Sequence, residues 1–365
     1  MDISIIGASG TIGRQIAISL VQEHIIPSSA RLQLVGRKGG SSERILPALA
    51  SDLADAYAEI MPDIDVVFEP TEVKADIIIV AAGKTISPVP AHLLDRFPDR
   101  LELAKTNFPI LNTYATALES VASGEEIILV VTNPVELGVH IFSQHHPRER
   151  VIGMGAFLDT LRFRREIATE LGIRRQNVRG LVLGEHGISM VPCWSTVGAY
   201  GFNSAEGRAV LQALRPVDVP NRQAVLQEVM EIFAQEGIAA AYRKAASYSA
   251  DLRTFIKPFI THYSGIKTPI GVAKIITRLV ETIVMGNQVM AAAQICLHGE
   301  FLGIEGVTGV PVMLSNAGVV RIEPIELLSQ EAGEVYAAAM KFNNYLLKLA
   351  DNFAVTNNKD FLVTK

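Results

Sequence analysis

Four short runs of aliphatic and β-branched residues, DISIIG (2–7), RLQLVG (31–36), ADIIIVAAG (75–83) and EIILVVTNP (126–134), punctuate the first part of the chain. Their apolar character is nearly continuous. A half-exposed strand would alternate, so runs of this kind belong in a parallel sheet covered on both faces. Helical stretches lie between them, including GRQIAISLVQEH (13–24) and LELAKTNFPILNTYATALESVA (101–122). Strand–helix alternation of this sort predicts an α/β, doubly wound parallel sheet over residues 1–150. Beyond it, helical stretches dominate (160–171, 204–245, 270–297 and 327–352), with strand-like NVRGLVLG (177–184), MVPCWSTVG (190–198) and GVPVMLSNAGVVRI (309–322). The expectation is a second, α+β domain over residues 151–365.

Composition narrows the function classes. At 49% hydrophobic and 19% charged residues the chain is a folding sequence rather than a disordered one. A net charge of −5 without a basic run gives nucleic acid no footprint. The apolar tract 270–297 carries Lys274, Arg278 and Glu281, so it reads as a buried helix and no membrane partner is expected. Cys193 and Cys296 are too few for a disulfide scaffold or a zinc site, and no metal is expected. The first apolar stretch begins at residue 3 without a basic leader, and a cytoplasmic setting is the expectation.

GASGTIG (7–13) follows the first strand and opens the first helix. Gly7 allows the tight turn, Gly10 lets backbone approach a pyrophosphate, and Gly13 permits close helix–sheet packing; Ser9, Thr11 and Ile12 complete a cofactor-binding, Rossmann-type turn. The second strand ends in LQLVGRKGG (32–40), where an NAD site would place an acid for the ribose hydroxyls. Gly36 stands there, followed by Arg37 and Lys38, which suit a 2′-phosphate, with Gly39, Gly40, Ser41 and Ser42 as further donors. NADP is therefore favoured over NAD, the alternative being a solvated loop that tolerates NAD.

Three more segments carry chemistry. LVLGEHGISMVP (181–192) sets His186 at a strand end, a plausible acid/base or a structural histidine. VIGMGAFLDTLRFRREIA (151–168) puts Asp159 and Arg162 on one helix face, either as a surface ion pair or as an orienting carboxylate and a carboxylate-gripping arginine. VVTNP (130–134) puts Asn133 at the carboxyl end of a strand, in the crevice or simply in an Asn-Pro turn.

In this order, glycine turn, TNP, LDTLRFR and GEHG, the sequence resembles the lactate/malate dehydrogenase family, nearest its malate branch; NPVELG and FLGIEGVTGVPVML agree. The resemblance spans nearly the whole chain. It implies hydride transfer between a nicotinamide cofactor and an L-2-hydroxy acid, malate/oxaloacetate first and lactate second. It also implies His186 as proton donor and acceptor, Asp159 as its orienting partner, Arg162 on the C1 carboxylate, and Asn133 touching substrate and cofactor. Val131 and Asn107 would be cofactor contacts, no metal would be used, and the protein would be a homodimer or homotetramer. In the loop KTISPVPAHLLDRFPDRLELAKTN (84–107), Arg100 falls at the carbonyl-polarising position. Leu94 stands where the malate branch carries its selecting arginine, leaving Arg96 as the substitute.

The region 203–260 is longer than the family norm and suits an oligomer contact, a wall of a larger pocket or a surface elaboration. Two rival readings compete: a short-chain dehydrogenase using Tyr263-x-x-x-Lys267, and an NADP sensor without turnover. An NAD-dependent glycosidase would need a cysteine and histidine on manganese, for which no motif is present.

Overall fold

A computed structural model describes residues 1–85, 100–217, 220–266 and 268–360. The first half runs β1 (Ile3–Ile6), α1 (Thr11–Gln22), β2 (Arg31–Val35), α2 (Ser42–Tyr57), β3 (Asp63–Val67), β4 (Ile77–Val80), α3 (Arg100–Glu119), β5 (Ile127–Val130), α4 (Val135–Phe142) and β6 (Val151–Gly153). The second runs α5 (Gly155–Leu171), β7 (Val178–Gly184), β8 (Met190–Ala199), α6 (Ala205–Ala213), α7 (Arg222–Glu236), α8 (Ile238–Ala246), α9 (Ala250–Tyr263), α10 (Pro269–Val284), β9 (Val289–His298), β10 (Glu305–Ser315), β11 (Gly318–Ile322) and α11 (Ser329–Asp360).

The first six strands form a parallel array in the order β3-β2-β1-β4-β5-β6. This is the doubly wound order, whose direction reverses beside β1 and leaves a crevice at the strand carboxyl ends. β1, β4 and β5 are buried along their whole length, as continuous apolar runs require. Ile5 faces a core shared with α1, α2 and α10, and Ile6 faces another built from α3, α4 and α11. The sheet then continues antiparallel, β6 meeting β9 at Gly153–Gln294, β9 pairing with β10, and β10 reaching β7 at Gly309–Gly184. A third core gathers Phe163 and Ile167 of α5, Val229 of α7, Ala241 of α8 and Phe255 and Ile256 of α9.

Two expectations are corrected, and one strand was not anticipated. The tract 270–297 is not one helix: α10 stops at Val284, the chain turns through Gly286 (φ +66°), and VMAAAQICLH forms β9. Its alanines favour a helix locally, but Ala291, Ala292 and Ala293 are buried and paired in register with β10, and tertiary pairing outweighs propensity. Residues 204–245 are three helices, α7 and α8 being separated at Gly237 (φ +88°). Strand β3 escaped the reading because it edges the sheet and its DIDVV pattern is only half buried.

Candidate active site

The glycine turn has the stereochemistry its spacing demands. Gly7 adopts φ +87°, and a Cβ there would lie 2.6 Å from the Ala82 nitrogen; at Gly13 it would lie 2.4 Å from the Gly7 carbonyl oxygen. Gly10 caps α1 with no side-chain bond, and no acid occupies the first turn. The first intrahelical bond reaches Arg14, so the N–H groups of Thr11, Ile12 and Gly13 point outward beside a positive dipole end. A cradle closed to any Cβ and rich in free donors fits a dinucleotide pyrophosphate.

The ribose end is built differently. A Cβ on Gly36 would fall 2.5 Å from Ser42 Cβ and 2.7 Å from Leu46 Cδ1, so packing of α2 leaves no room for an acid there. Of the expected phosphate donors, several are already engaged. Lys38 pairs with Glu69 at 2.7 Å, the Gly39 N–H donates to Glu43 at 3.0 Å, and the Ser42 hydroxyl bonds Ser9 at 3.0 Å. Arg37 is exposed and forms no ion pair among the described residues.

Asp159 and Arg162 of α5 meet His186, from the turn after β7. Asp159 on α5 is fully buried, and its two oxygens are divided: Oδ2 lies 2.7 Å from His186 Nδ1, and Oδ1 accepts from Arg162 at 3.0 Å. The expected ion pair of Asp159 and Arg162 is present, but buried instead of on the surface. Burial works to raise the Asp159 carboxyl, but the charges and hydrogen bonds of His186 and Arg162 outweigh it and hold it below the ordinary range. An ionised Asp159 can only accept, so Nδ1 of His186 carries the proton and Nε2 is left to exchange one. Gly155, at the start of α5, lets the imidazole approach: a Cβ there would lie 2.4 Å from His186 Cγ.

Two residues beneath this group were missed. Glu136 on α4, wholly buried, accepts the His186 backbone N–H at 2.6 Å and the Gln294 amide at 3.3 Å, while Gln294 accepts from the Ala156 N–H at 3.1 Å. One network thereby joins α4, α5, β7 and β9 under the histidine. The available signal was an acid inside VELGVHIF, since an unpartnered carboxylate is seldom placed among apolar neighbours.

Asn107 is buried on α3. Its amide donates to the carbonyls of Lys84 (3.0 Å) and Asn133 (2.7 Å), and its oxygen accepts the Lys84 N–H (2.7 Å). It fixes the base of the loop after β4 against Asn133. A cavity of about 250 Å³ opens between these parts, lined by Ile12, Val131, Asn133, Arg162 and His186, and by Lys84, which the motifs did not single out. Arg100 opens α3 but its side chain lies outside the described part of the structure, as do Arg96 and Leu94.

Helix α9 forms the far wall with Phe255, Pro258, Phe259, His262 and Tyr263, so part of region 203–260 is pocket wall. Tyr263 does not suit the short-chain dehydrogenase role: its hydroxyl is buried without a partner among the described residues, and burial pushes it up to about 12. A tyrosine base needs the opposite shift. Lys267 lies outside the described residues.

Residues 1–153 match the family model described as lactate/malate dehydrogenase, NAD binding domain. The L-2-hydroxycarboxylate dehydrogenase (NAD(P)(+)) of Methanocaldococcus jannaschii is 29% identical over 339 residues, 91% of this chain and 93% of its own. A malate dehydrogenase of Methanothermobacter marburgensis is 28% identical over 368 residues, covering 96% and 98%. Among solved structures, a lactate dehydrogenase of Cryptosporidium parvum complexed with lactic acid and nicotinamide adenine dinucleotide shares the fold, with TM-score 0.74, 21% identity and coverage of 96% and 98%.

Proposed function

We propose that the chain belongs to the lactate/malate dehydrogenase family, to which its first 153 residues and its relatives point, and that it is an NAD(P)-dependent L-2-hydroxy acid dehydrogenase of the malate type, acting on malate/oxaloacetate first and on lactate/pyruvate second. The observation that carries this is the Asp159 carboxylate shared between His186 and Arg162 in the wall of the cavity that the glycine turn opens onto.

Gly7, Gly10 and Gly13 with the N–H groups of Thr11 and Ile12 would hold the cofactor pyrophosphate, Ser9 flanking them; Val131 and Asn133 would line the nicotinamide end. When bound, the nicotinamide supplies or accepts the hydride at substrate C2. Arg162, whose second face is free of Asp159, grips the C1 carboxylate and orients C2. His186 Nε2 takes the hydroxyl proton as the alcohol is oxidised and returns it in reduction, while Asp159 stabilises the imidazolium so formed. Asn107 acts indirectly, setting Asn133 and Lys84.

Cofactor binding is assigned to the parallel half of the sheet and substrate chemistry to the residues after it. NADP is the favoured cofactor, supported by Arg37, which has no ion pair among the described residues, and by the lack of space for an acid at Gly36. A homodimer or homotetramer and a cytoplasmic setting complete the reading; exposed Ile270 and Met285 on and beside α10 and two free thiols are compatible with them.

Initial rates of oxaloacetate reduction with NADPH and with NADH, with pyruvate as control, test the whole. Turnover with either cofactor that disappears in His186→Asn, with cofactor binding retained, is expected. A preference for NADH removes the NADP part alone, and unaltered turnover in His186→Asn refutes the assigned chemistry.

A further inference from the structure

The wall formed by α9 has a composition that the chemistry at His186 does not require. Phe255, Pro258, Phe259 and His262 recur at i, i+3, i+4 and i+7 and so form one stripe along the helix, facing the cavity that also holds His186 and Arg162. Phe255 and Phe259 meet edge to face at 5.2 Å. Ile188 and Met190, after β7, add apolar surface to the same cavity.

The cations of α9 are directed elsewhere. Arg253 Nε and Lys257 Nζ both donate to buried Glu166 of α5, at 2.9 and 2.6 Å, and Arg253 also donates to Glu170 at 2.6 Å. Glu166 and Glu170 lie on α5 one and two turns past Arg162, so this cluster fixes the register of the aromatic stripe against the helix that carries Asp159 and Arg162. The stripe is therefore held in place, and it offers carbon surface to whatever projects beyond C2. An aliphatic or aromatic group that reaches the stripe is favoured because burying it removes apolar area from water.

Resting on the dehydrogenase reading above, we propose that α9 is a specificity element for the C3 substituent, and that 2-keto acids with a large apolar substituent, aromatic or branched, are substrates of this site. Phenylpyruvate and 4-methyl-2-oxopentanoate have the required chemistry: a carboxylate for Arg162, a carbonyl for His186 and a carbon side chain for the stripe. Each buried methylene in such a pocket is worth about tenfold or more in discrimination.

The test compares kcat/KM for phenylpyruvate, 4-methyl-2-oxopentanoate, pyruvate and oxaloacetate in the full chain. The expected result is that phenylpyruvate exceeds pyruvate by about tenfold or more. Phe259→Ala should lower the phenylpyruvate-to-pyruvate ratio, Phe259→Leu should keep most of it, and thermal melting confirms that both variants fold. Reduction of oxaloacetate or pyruvate with phenylpyruvate slower than pyruvate overturns the proposal and leaves the dehydrogenase reading standing. An unchanged ratio in Phe259→Ala overturns it equally, and failure of all four keto acids removes both.

Discussion

The acid/base group and the loop after β2 sit at opposite ends of the proposed cofactor path and are built on opposite terms. Around His186 the polar groups hold one another: Asp159 is held by Arg162 and the imidazole, the His186 backbone by Glu136, and Glu136 by Gln294. After β2, Arg37 is exposed and without an ion pair among the described residues, while its neighbours Lys38 and Ser42 are engaged locally. The first region has its geometry set by burial before any ligand arrives, which is the condition for effective acid/base work. The second can change its ligand through one side chain without disturbing a core. On the proposed reading, chemistry lies where packing is tight and cofactor choice where it is loose.

Breaking the tight region should have the largest effect. Asp159→Asn is expected to lower kcat by about 10³–10⁴, because an amide no longer selects the Nδ1–H tautomer, as stopped-flow hydride-transfer rates would record. The same variant should flatten the acid limb of stability. A carboxyl depressed in the folded state contributes fully above its ordinary pKa near 3.9 and loses that contribution as pH falls through the lower folded value. Urea melts between about pH 2 and 5 read this directly.

Gly155→Ala adds no chemistry but drives a Cβ to 2.4 Å from His186 Cγ. A strain of about 1–3 kcal/mol and a fall in kcat larger than any change in cofactor Kd are expected. Equal loss of both would mean that α5, not the imidazole, has moved. In the loose region, Arg37→Ala should raise the KM for NADPH by about tenfold or more, the value of a charge-assisted bond, and leave that for NADH unchanged. Gly36→Asp tests the same loop from the other side: it should destabilise α2 packing by about 1–3 kcal/mol rather than yield an NAD enzyme.

The smallest effect concerns Tyr263. Its raised pKa, about 12, means that the folded state holds the proton more tightly than the unfolded chain, so stability is complete below about pH 10 and declines as pH rises towards 12. Tyr263→Phe should remove that alkaline decline and gain about 1 kcal/mol by deleting a buried hydroxyl that has no partner among the described residues. Loss of turnover in this variant would revive a tyrosine base.

Much of this was legible along the chain because the determinants are local. Continuous apolar runs marked β1, β2, β4 and β5, and glycine spacing marked the turn at Gly7–Gly13, since a positive φ and a closed cradle exclude other residues there. Asp159, Arg162 and His186 were found as motif residues, but their joint use of one carboxylate spans 27 positions and is a property of how α5 lies across the end of β7. Glu136 and Gln294 passed unnoticed for the same reason: 158 residues separate them, and only the sheet brings them together.

The sequence by itself determined the alternation of strand and helix, the phosphate turn and the residue types available for acid/base work, because each depends on backbone conformation or side-chain chemistry within a few positions. Tertiary structure alone decided that an alanine-rich tract becomes β9, that Gly36 has no space for an acid, and that α9 presents its aromatic stripe to the cavity. Those outcomes depend on which surfaces meet, and burial against a distant partner carries more free energy than any local preference can oppose.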